Sequence, residues 1–275
     1  MQSAARKQDA IPSDCVDVRD LTVVRGSRPV FRGLSCRFPL GKISVVLGGS
    51  GSGKSTLLRA LACLLRPDSG EIWLGEDTQL CGMSERRVRS YRERVGMMFQ
   101  GGALLDSMTV FDNVALPLRE RTRRSRAEIE REVHGVFESV GLEQVDALLP
   151  GQLSGGMLRR AALARALITQ PQILLCDEPF SGLDPNTVRR VESLLVDLNR
   201  ELQITMIIAS HHIASTLRMA DHVVVLVDGS AVSGTPEAVR RATHPRVAEF
   251  FVEEAFAPDA EQPPPDASGP GGNPA

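Results

Sequence analysis

The chain has 275 residues, enough for one large domain or two small ones with a buried core. Its 32 basic and 34 acidic residues nearly cancel, so composition gives no argument for nucleic acid, and we predict that the protein binds none. The five cysteines are scattered and lack a C-x-x-C pair, which argues against a disulfide framework or a zinc site and indicates a reducing compartment.

The sequence contains no apolar run of about 18 residues, the length that a membrane-spanning helix requires. Its first residues, MQSAARKQDAIPSD, lack the apolar centre of a signal peptide. We therefore expect a cytosolic protein that is soluble by itself and reaches a membrane only through a partner.

The first part of the chain combines strand and helix signals after a polar segment, residues 1–14, that we predict to be flexible. Two β-rich runs joined by the turn-like RGSRP come first, and the continuous apolar run ISVVLG then predicts a buried strand. A glycine-rich turn leads into the predicted helix KSTLLRALACLL. The next predicted elements are strand GEIWLG, helix SERRVRSYRER and strand VGMMF.

Helical patterning without a strand signal follows, and we predict a helical subdomain over about residues 101–169. Strand and helix signals then alternate as QILLCDE, TVRRVESLLVDLNREL, ITMIIAS, HIASTLRMA and HVVVLVDG. Such alternation predicts an α/β fold around a parallel sheet, in a domain over residues 15–242. We predict a helix over residues 243–256 and, because residues 257–275 are rich in proline and glycine, a disordered tail.

The segment GGSGSGKST lies between the predicted buried strand and its following helix, and it matches the P-loop pattern G-x-x-x-x-G-K-[ST]. Its glycines let backbone N–H groups point at phosphate oxygens, aided by the positive helix N-terminus. We predict that Lys54 reaches the β- and γ-phosphates and that Ser55 binds Mg²⁺. The predicted nucleotide-binding residues of this loop are Gly48, Gly49, Ser50, Gly51, Ser52, Gly53, Lys54, Ser55 and Thr56.

Two acids follow the apolar run ILLC. At the end of a buried strand, Asp177 can hold the Mg²⁺ shell, and Glu178 is suited to orient or deprotonate the attacking water. The alternative, that both acids cap the next helix, explains the pair but not its position after an apolar strand.

A second candidate anion site is LSGG, which precedes the helical run LRRAALARALI. Ser154 is a natural N-cap, and the two glycines leave backbone N–H groups bare at the start of the helix. Taken alone, this pattern favours an ordinary capped helix over an anion site.

The order of these motifs resembles the ATPase subunit of ABC transporters. The P-loop, a glutamine after an apolar strand, LSGG, LLCDEP, SGLD and SHH follow one another over about residues 15–235. The resemblance implies a RecA-like P-loop core with an antiparallel β subdomain and a helical signature subdomain. It also implies a homodimer with two ATP molecules, each held between the P-loop of one chain and the LSGG of the other.

The same resemblance implies roles for further residues. Gln100 contacts Mg²⁺ and the attacking water, and His211 lies near the γ-phosphate, so that both are catalytic together with Glu178. Asp184 crosses the dimer interface. The residues that bind ATP in trans are then Leu153, Ser154, Gly155, Gly156 and Asp184.

Two positions depart from the pattern of the family. Many members stack an aromatic residue on adenine, and the matching position here is Arg25, whose guanidinium plane can stack on a base or can simply be a solvated turn residue. His212 stands where an acid often follows the histidine. The His211–His212 pair could also suggest a metal, but no other ligand is spaced to join it.

Four segments resemble the ATPases of the Mla phospholipid transport systems of Gram-negative bacteria, which belong to the MCE type. These segments are FQGGALLDSMTVFDNVALPLRE, LSGGMLRRAALARA, DEPFSGLDP and HPRVAEFF. This resemblance implies an integral-membrane permease, an MCE lipid-binding protein and a small cytosolic STAS-domain protein as partners. It also implies a location on the cytoplasmic face of the inner membrane, through the permease. The direction of transport and the lipid species are set by other subunits.

Two rival functions remain open from the sequence. One is the ATPase of an importer for amino acids or another small solute. The other is an ABC ATPase that acts on DNA or ribosomes, although such relatives generally carry coiled coils, zinc modules or two cassettes, which this sequence lacks.

Two apolar segments have alternative interpretations. Leu104, Met108, Val110 and Phe111 need not all be core, because the family uses the region after the glutamine to receive a coupling helix of the permease. The C-terminal residues Val247, Phe250, Phe251 and Ala255 share a helical face that packs either on its own domain or on the second subunit.

Overall fold

A mostly parallel sheet separates two hydrophobic cores in the computed structural model, which describes residues 15–242 and 244–248. The strands are β1 (Cys15–Arg25), β2 (Arg28–Pro39), β3 (Ile43–Leu47), β4 (Ser69–Leu74), β5 (Thr78–Gln79), β6 (Val95–Met98), β7 (Ile173–Asp177), β8 (Thr205–Ala209), β9 (His222–Val227) and β10 (Ser230–Gly234). The helices are α1 (Lys54–Leu61), α2 (Glu85–Glu93), α3 (Val110–Arg121), α4 (Arg126–Ser139), α5 (Gly155–Leu167), α6 (Pro185–Leu202), α7 (Ile213–Met219) and α8 (Pro236–Arg240), with a short 3₁₀ turn at Pro150–Gln152.

The strands form two sheets. The larger has the order β10-β9-β3-β8-β7-β6, in which only β10 pairs antiparallel with its neighbour. The smaller is antiparallel, with the order β2-β1-β4-β5. Strands β3, β7 and β8 are mostly apolar and buried along their whole length, as expected of a sheet that is covered on both faces.

Alternate side chains of the parallel strands enter different cores. In β3, Ile43, Val45 and Leu47 join the core that holds helices α3 to α7, whereas Val46 joins the core formed with α1 and the antiparallel sheet. The sheet is therefore fixed on both faces, and its strand ends form a rigid edge.

Between β6 and β7, the described chain contains the helices α3, α4 and α5 and no strand. Their caps are local. Thr109 accepts a hydrogen bond from the Asp112 N–H, Ser125 forms a reciprocal capping box with Glu128, and Ser154 accepts from the Met157 N–H.

Some element boundaries differ from those predicted. Helix α1 ends at Leu61 rather than at Leu65, because Cys63 takes a left-handed backbone with a φ of 53° and the chain turns away. Helix α6 begins at Pro185, two residues earlier than predicted, with Asp184 as its N-cap and proline at its first position. Strands β5 and β10 and helix α8 were not predicted.

Several predictions concern residues that are not described. The flexible segment 1–14, the tail 257–275 and most of the predicted helix 243–256 lie outside the described residues. Of that helix, residues 245–248 are helical, and Val247 is fully buried in the core of its own domain.

Candidate nucleotide-binding site

Neighbouring parallel strands end at one edge of the larger sheet, and each leads into residues predicted from the sequence to bind nucleotide. Gly48 follows β3, His211 follows β8, Asp177 ends β7, and Gln100 comes shortly after β6. Ligands of open α/β sheets bind outside these carboxyl ends. The strand order therefore brings together segments that are far apart in sequence.

A cleft of about 600 Å³ opens at this edge. It is lined by the P-loop residues 50–56 together with Val30, Gln100, Glu178, Ser181 and His211. Val30 and Ser181 were not predicted, and no sequence pattern singles them out. They reach the cleft because β2 lies beside the P-loop and because Ser181 belongs to the turn after Glu178.

The P-loop is shaped for a close approach of backbone to ligand. Gly53 has a φ of 100°, and a Cβ atom there would lie 2.6 Å from Val30 and Phe31, so that only glycine fits. The Ser52 hydroxyl is buried and has no hydrogen-bond partner among the described residues. A buried hydroxyl without a partner is rare, and a phosphate oxygen would supply what it lacks.

Lys54 is buried at the base of the cleft and bonds to its own loop. Its Nζ donates to the Gly48 carbonyl at 2.7 Å and to the Gly49 carbonyl at 3.3 Å, and it lies 3.4 Å from Oε1 of Glu178. The ammonium is thus held where the phosphate oxygens of a bound polyphosphate can replace the backbone carbonyls, which are weaker acceptors.

Glu178 is held between two side chains that carry or can carry positive charge. Its Oε2 lies 2.7 Å from Nδ1 of His211, opposite the contact of Oε1 with Lys54. Its backbone is left-handed, with a φ of 50°, and its N–H donates to the Ala209 carbonyl. A non-glycine residue in this conformation costs on the order of 1–3 kcal/mol, a strain that is typical of functional sites.

Asp177 and Ser55 form the candidate Mg²⁺ ligands. The Ser55 hydroxyl donates to Oδ1 of Asp177 at 2.9 Å, so the two oxygens converge from α1 and β7. Burial raises the pKa of the Asp177 carboxyl, and the neighbouring Glu178 raises it further. A buried pair of hard oxygen donors fits the preferences of Mg²⁺, which would relieve the cost of the buried charge.

Gln100 is exposed at the rim of the cleft, two residues beyond the last residue of β6. It begins a turn in which the Gly102 N–H donates to the Phe99 carbonyl. The amide is therefore within the cleft wall but outside the sheet itself.

The residues predicted to act in trans lie together at two neighbouring helix starts. Ser154 caps α5 and Asp184 caps α6, where Asp184 accepts from the N–H groups of Asn186 and Thr187. The two helix starts are close, since a Cβ atom on Gly156 would lie 2.8 Å from the Thr187 side chain. None of the residues Leu153, Ser154, Gly155, Gly156 and Asp184 lines the cleft.

The two departures from the family pattern have different surroundings. Arg25 is exposed at the end of β1 and does not line the cleft, so its predicted stacking on a base stays a prediction. The His212 ring contacts the Phe180 ring edge-on at 5.9 Å and the His211 ring at 4.5 Å. In the described part of the chain, no group of three or more His, Cys, Asp and Glu residues is arranged to hold a metal.

A second cavity of about 470 Å³ lies between α3, α5 and β6. Its apolar lining includes Phe99, Ala103, Leu116 and Pro117. The lining does not include Leu104, Met108, Val110 or Phe111, the residues that the sequence suggested for a groove. Val110 is fully buried in the core instead.

These features define a P-loop ATPase, and the chain belongs to the ABC transporter family: the family model "ABC transporter" matches residues 31–181. It is an ATP-binding, ATP-hydrolysing cassette subunit, and the predicted α/β fold with a P-loop core is confirmed.

The chain is 42% identical over 240 residues to the intermembrane phospholipid transport system ATP-binding protein MlaF of Escherichia coli K12, covering 87% of this chain and 89% of MlaF. It is 39% identical to MlaF of Haemophilus influenzae, covering 88% of this chain and 92% of that protein.

The fold is also similar to a solved structure. The dimeric structure of the bacterial ABC transporter cassette MJ0796 matches with a TM-score of 0.74 and 28% identity, covering 80% of this chain and 98% of that cassette. The same cassette is known in a dimeric post-hydrolysis state with ADP and Pi bound.

Among the described residues, no helix is long and apolar enough to cross a lipid bilayer.

Proposed function

We propose that this chain powers phospholipid transport between the inner and outer membranes of a Gram-negative bacterium. The 42% identity to Escherichia coli MlaF over most of both chains is the observation that carries the proposal. The similarity extends over the whole cassette, including regions outside the motifs common to all ABC ATPases.

We propose that hydrolysis uses the residues at the sheet edge. The P-loop binds the phosphates of ATP, and Lys54 exchanges its backbone acceptors for the β- and γ-phosphates. Ser55 and Asp177, with Gln100, would hold Mg²⁺, which supplies charge neutralisation at the phosphates. Glu178 orients the attacking water and accepts its proton, and His211 orients Glu178 through their 2.7 Å contact.

The separation of the two anion-binding faces supports a homodimer. LSGG and Asp184 are not among the residues that line the cleft of their own chain, and we propose that they bind the ATP held by a second copy. The cassette would act at the cytoplasmic face of the inner membrane, held there by an integral-membrane permease. An MCE lipid-binding protein and a small STAS-domain protein complete the proposed complex.

The proposed cargo is tested by purifying the complex with its permease from the native membrane and extracting the bound molecules. We expect phospholipid, and an MCE protein among the subunits. A complex that instead contains a periplasmic solute-binding protein and binds amino acids would support the rival importer function.

The hydrolytic role is tested by Glu178→Gln. We expect ATP binding within about twofold of the unmodified chain and turnover lower by about 10²–10⁴, because a well-placed general base contributes that much. Fluorescent-nucleotide titration and phosphate release measure the two quantities. Glu201→Gln, which changes an exposed glutamate of α6, is the matched control. Near-normal turnover of the Glu178 variant would show that the base is another group.

A further inference from the structure

The segment after Gln100 has an unusual backbone. Gly101, Gly102 and Ala103 are consecutive and all left-handed, with φ angles of 78°, 85° and 48°. A left-handed conformation costs a residue with a Cβ, such as Ala103, roughly 1–2 kcal/mol. The segment makes one turn bond of its own, from the Gly102 N–H to the Phe99 carbonyl. Contacts from elsewhere must therefore contribute to holding this conformation.

Arg165 of helix α5 supplies such contacts. Its Nη1 donates to the Ala103 carbonyl at 2.7 Å and its Nη2 to the Gly102 carbonyl at 2.9 Å. A planar guanidinium can hold two adjacent carbonyls in one fixed geometry, which a lysine ammonium cannot reproduce. The two bonds fix the chain two and three residues beyond Gln100.

The same helix packs tightly against the segment. A Cβ atom on Gly102 would lie 3.3 Å from the Ala162 Cβ and 3.8 Å from Leu158. Leu158, Ala162 and Arg165 are spaced i, i+4 and i+7, so they form one face of α5. Any shift of α5 is thus passed to the backbone next to Gln100.

We propose that Arg165 is a positioning residue for Gln100: its paired bonds to Gly102 and Ala103 hold the amide at the rim of the nucleotide cleft. Helix α5 begins at LSGG, and its Arg165 also lines the 470 Å³ cavity. Arg165 therefore lies on the helix that begins at the proposed trans-acting residues, lines the cavity and bonds to the segment after Gln100. This inference rests on the proposed function, because it needs Gln100 to act in hydrolysis.

The experiment compares the full-length chain, in its complex, as the unmodified protein and as Arg165→Ala, Arg165→Lys, Gln100→Ala and the double variant. We expect Arg165→Ala to lower kcat about tenfold, the loss of about 1.4 kcal/mol of transition-state stabilisation. The Kd for ATP should stay within about twofold, because Arg165 is outside the lining of the cleft. The kcat of Arg165→Lys should lie between those of the unmodified protein and Arg165→Ala. The lysine variant serves as the test if the alanine variant does not fold.

The matched control is Arg160→Ala. Arg160 lies on the same helix and also donates to a backbone carbonyl, but to that of Gly141, which follows α4 and does not belong to the segment after Gln100. We expect this variant to keep its kcat, with a loss of thermal stability similar to that of Arg165→Ala.

The double variant distinguishes positioning of Gln100 by Arg165 from a role of Arg165 in stabilising the fold alone. If Arg165 acts through Gln100, the double variant should have the kcat of Gln100→Ala within about twofold, because interacting sites are not additive. Multiplied losses would overturn the inference, as would a Gln100→Ala variant with normal kcat. Multiplied losses leave the proposed function untouched, and a normal kcat for Gln100→Ala removes only the proposed role of Gln100. The proposed function fails if the unmodified complex does not hydrolyse ATP or does not carry phospholipid.

Discussion

At the scale of single residues, the buried Asp177 destabilises the fold at neutral pH. Its folded-state pKa lies above the unfolded value of 3.8, mainly because burial disfavours the charged form. As the pH rises, the unfolded chain loses this proton first, so stability falls between the unfolded and the folded pKa values. The candidate metal ligand is therefore kept at the expense of stability.

We predict that Asp177→Asn raises the Tm in the absence of nucleotide and Mg²⁺. The amide is neutral, and its oxygen can still accept the Ser55 hydroxyl. The expected rise is a few degrees, on the scale of the ~2–4 °C that 1 kcal/mol produces in a domain of this size. Scanning fluorimetry from pH 8 downwards measures it, and the difference should shrink as the pH approaches the unfolded pKa of about 4. Hydrolysis should be lost.

Asp184→Asn is the control, because the pKa of Asp184 is shifted in the opposite direction from that of Asp177. Hydrogen bonds from Thr187, and further from Asn186, lower the pKa of the Asp184 carboxyl, so its charge stabilises the fold above its unfolded pKa. This variant should not gain stability. A lower Tm for Asp177→Asn than for the unmodified protein would contradict the account of Asp177.

Motifs next to predicted strands indicated Lys54, Ser55, Asp177 and Glu178, and the family resemblance added His211. The structure brings these five side chains to one edge of the sheet, because parallel strands carry their carboxyl ends there, while their roles stay predictions. The hydrogen bond between His211 and Glu178 and the steric contact of Phe31 with Gly53 could not be predicted. Both depend on how separate elements pack.

At the scale of elements, Asn113 organises the loop that leads into α3. The side chain is fully buried, and its amide donates to the carbonyls of Leu105, Met108 and Thr109. Its oxygen accepts the Leu105 N–H at 2.7 Å. The sequence shows the polar pair Asp112–Asn113 within an apolar segment. It does not show that the Asn113 side chain supplies hydrogen-bond partners to the backbone of the preceding loop.

We predict that Asn113→Ala lowers the free energy of unfolding by about 2–3 kcal/mol, because buried backbone groups of the loop lose their partner. The Tm should fall by roughly 4–12 °C, as measured by calorimetry. Asp106→Ala, an exposed change in the same loop, should leave the Tm nearly unchanged. Equal effects of the two substitutions would show that the loop does not depend on the Asn113 bonds.

At the scale of the whole molecule, the P-loop and LSGG, the helix start that we propose as a second phosphate site, do not line the same cleft. The P-loop lines the cleft, whereas LSGG does not and lies close to the residues on either side of Asp184. In the proposed homodimer, two-fold symmetry would place each LSGG opposite the P-loop of the partner. The need for two chains was implied only by family resemblance, since no local pattern specifies an interface.

We predict that two inactive variants restore activity when their subunits are exchanged. Lys54→Ala disables the P-loop, and Gly155→Asp places a carboxylate at the start of α5, where it favours the helix but repels phosphate. In a mixed dimer, one composite site combines the intact P-loop of one chain with the intact LSGG of the other. With random exchange, half of the dimers are mixed and each has one intact site, so about a quarter of the full activity should return if the sites act independently. Phosphate release after mixing, against each variant alone, measures it. If each chain bound and hydrolysed ATP with its own LSGG, mixing would restore nothing.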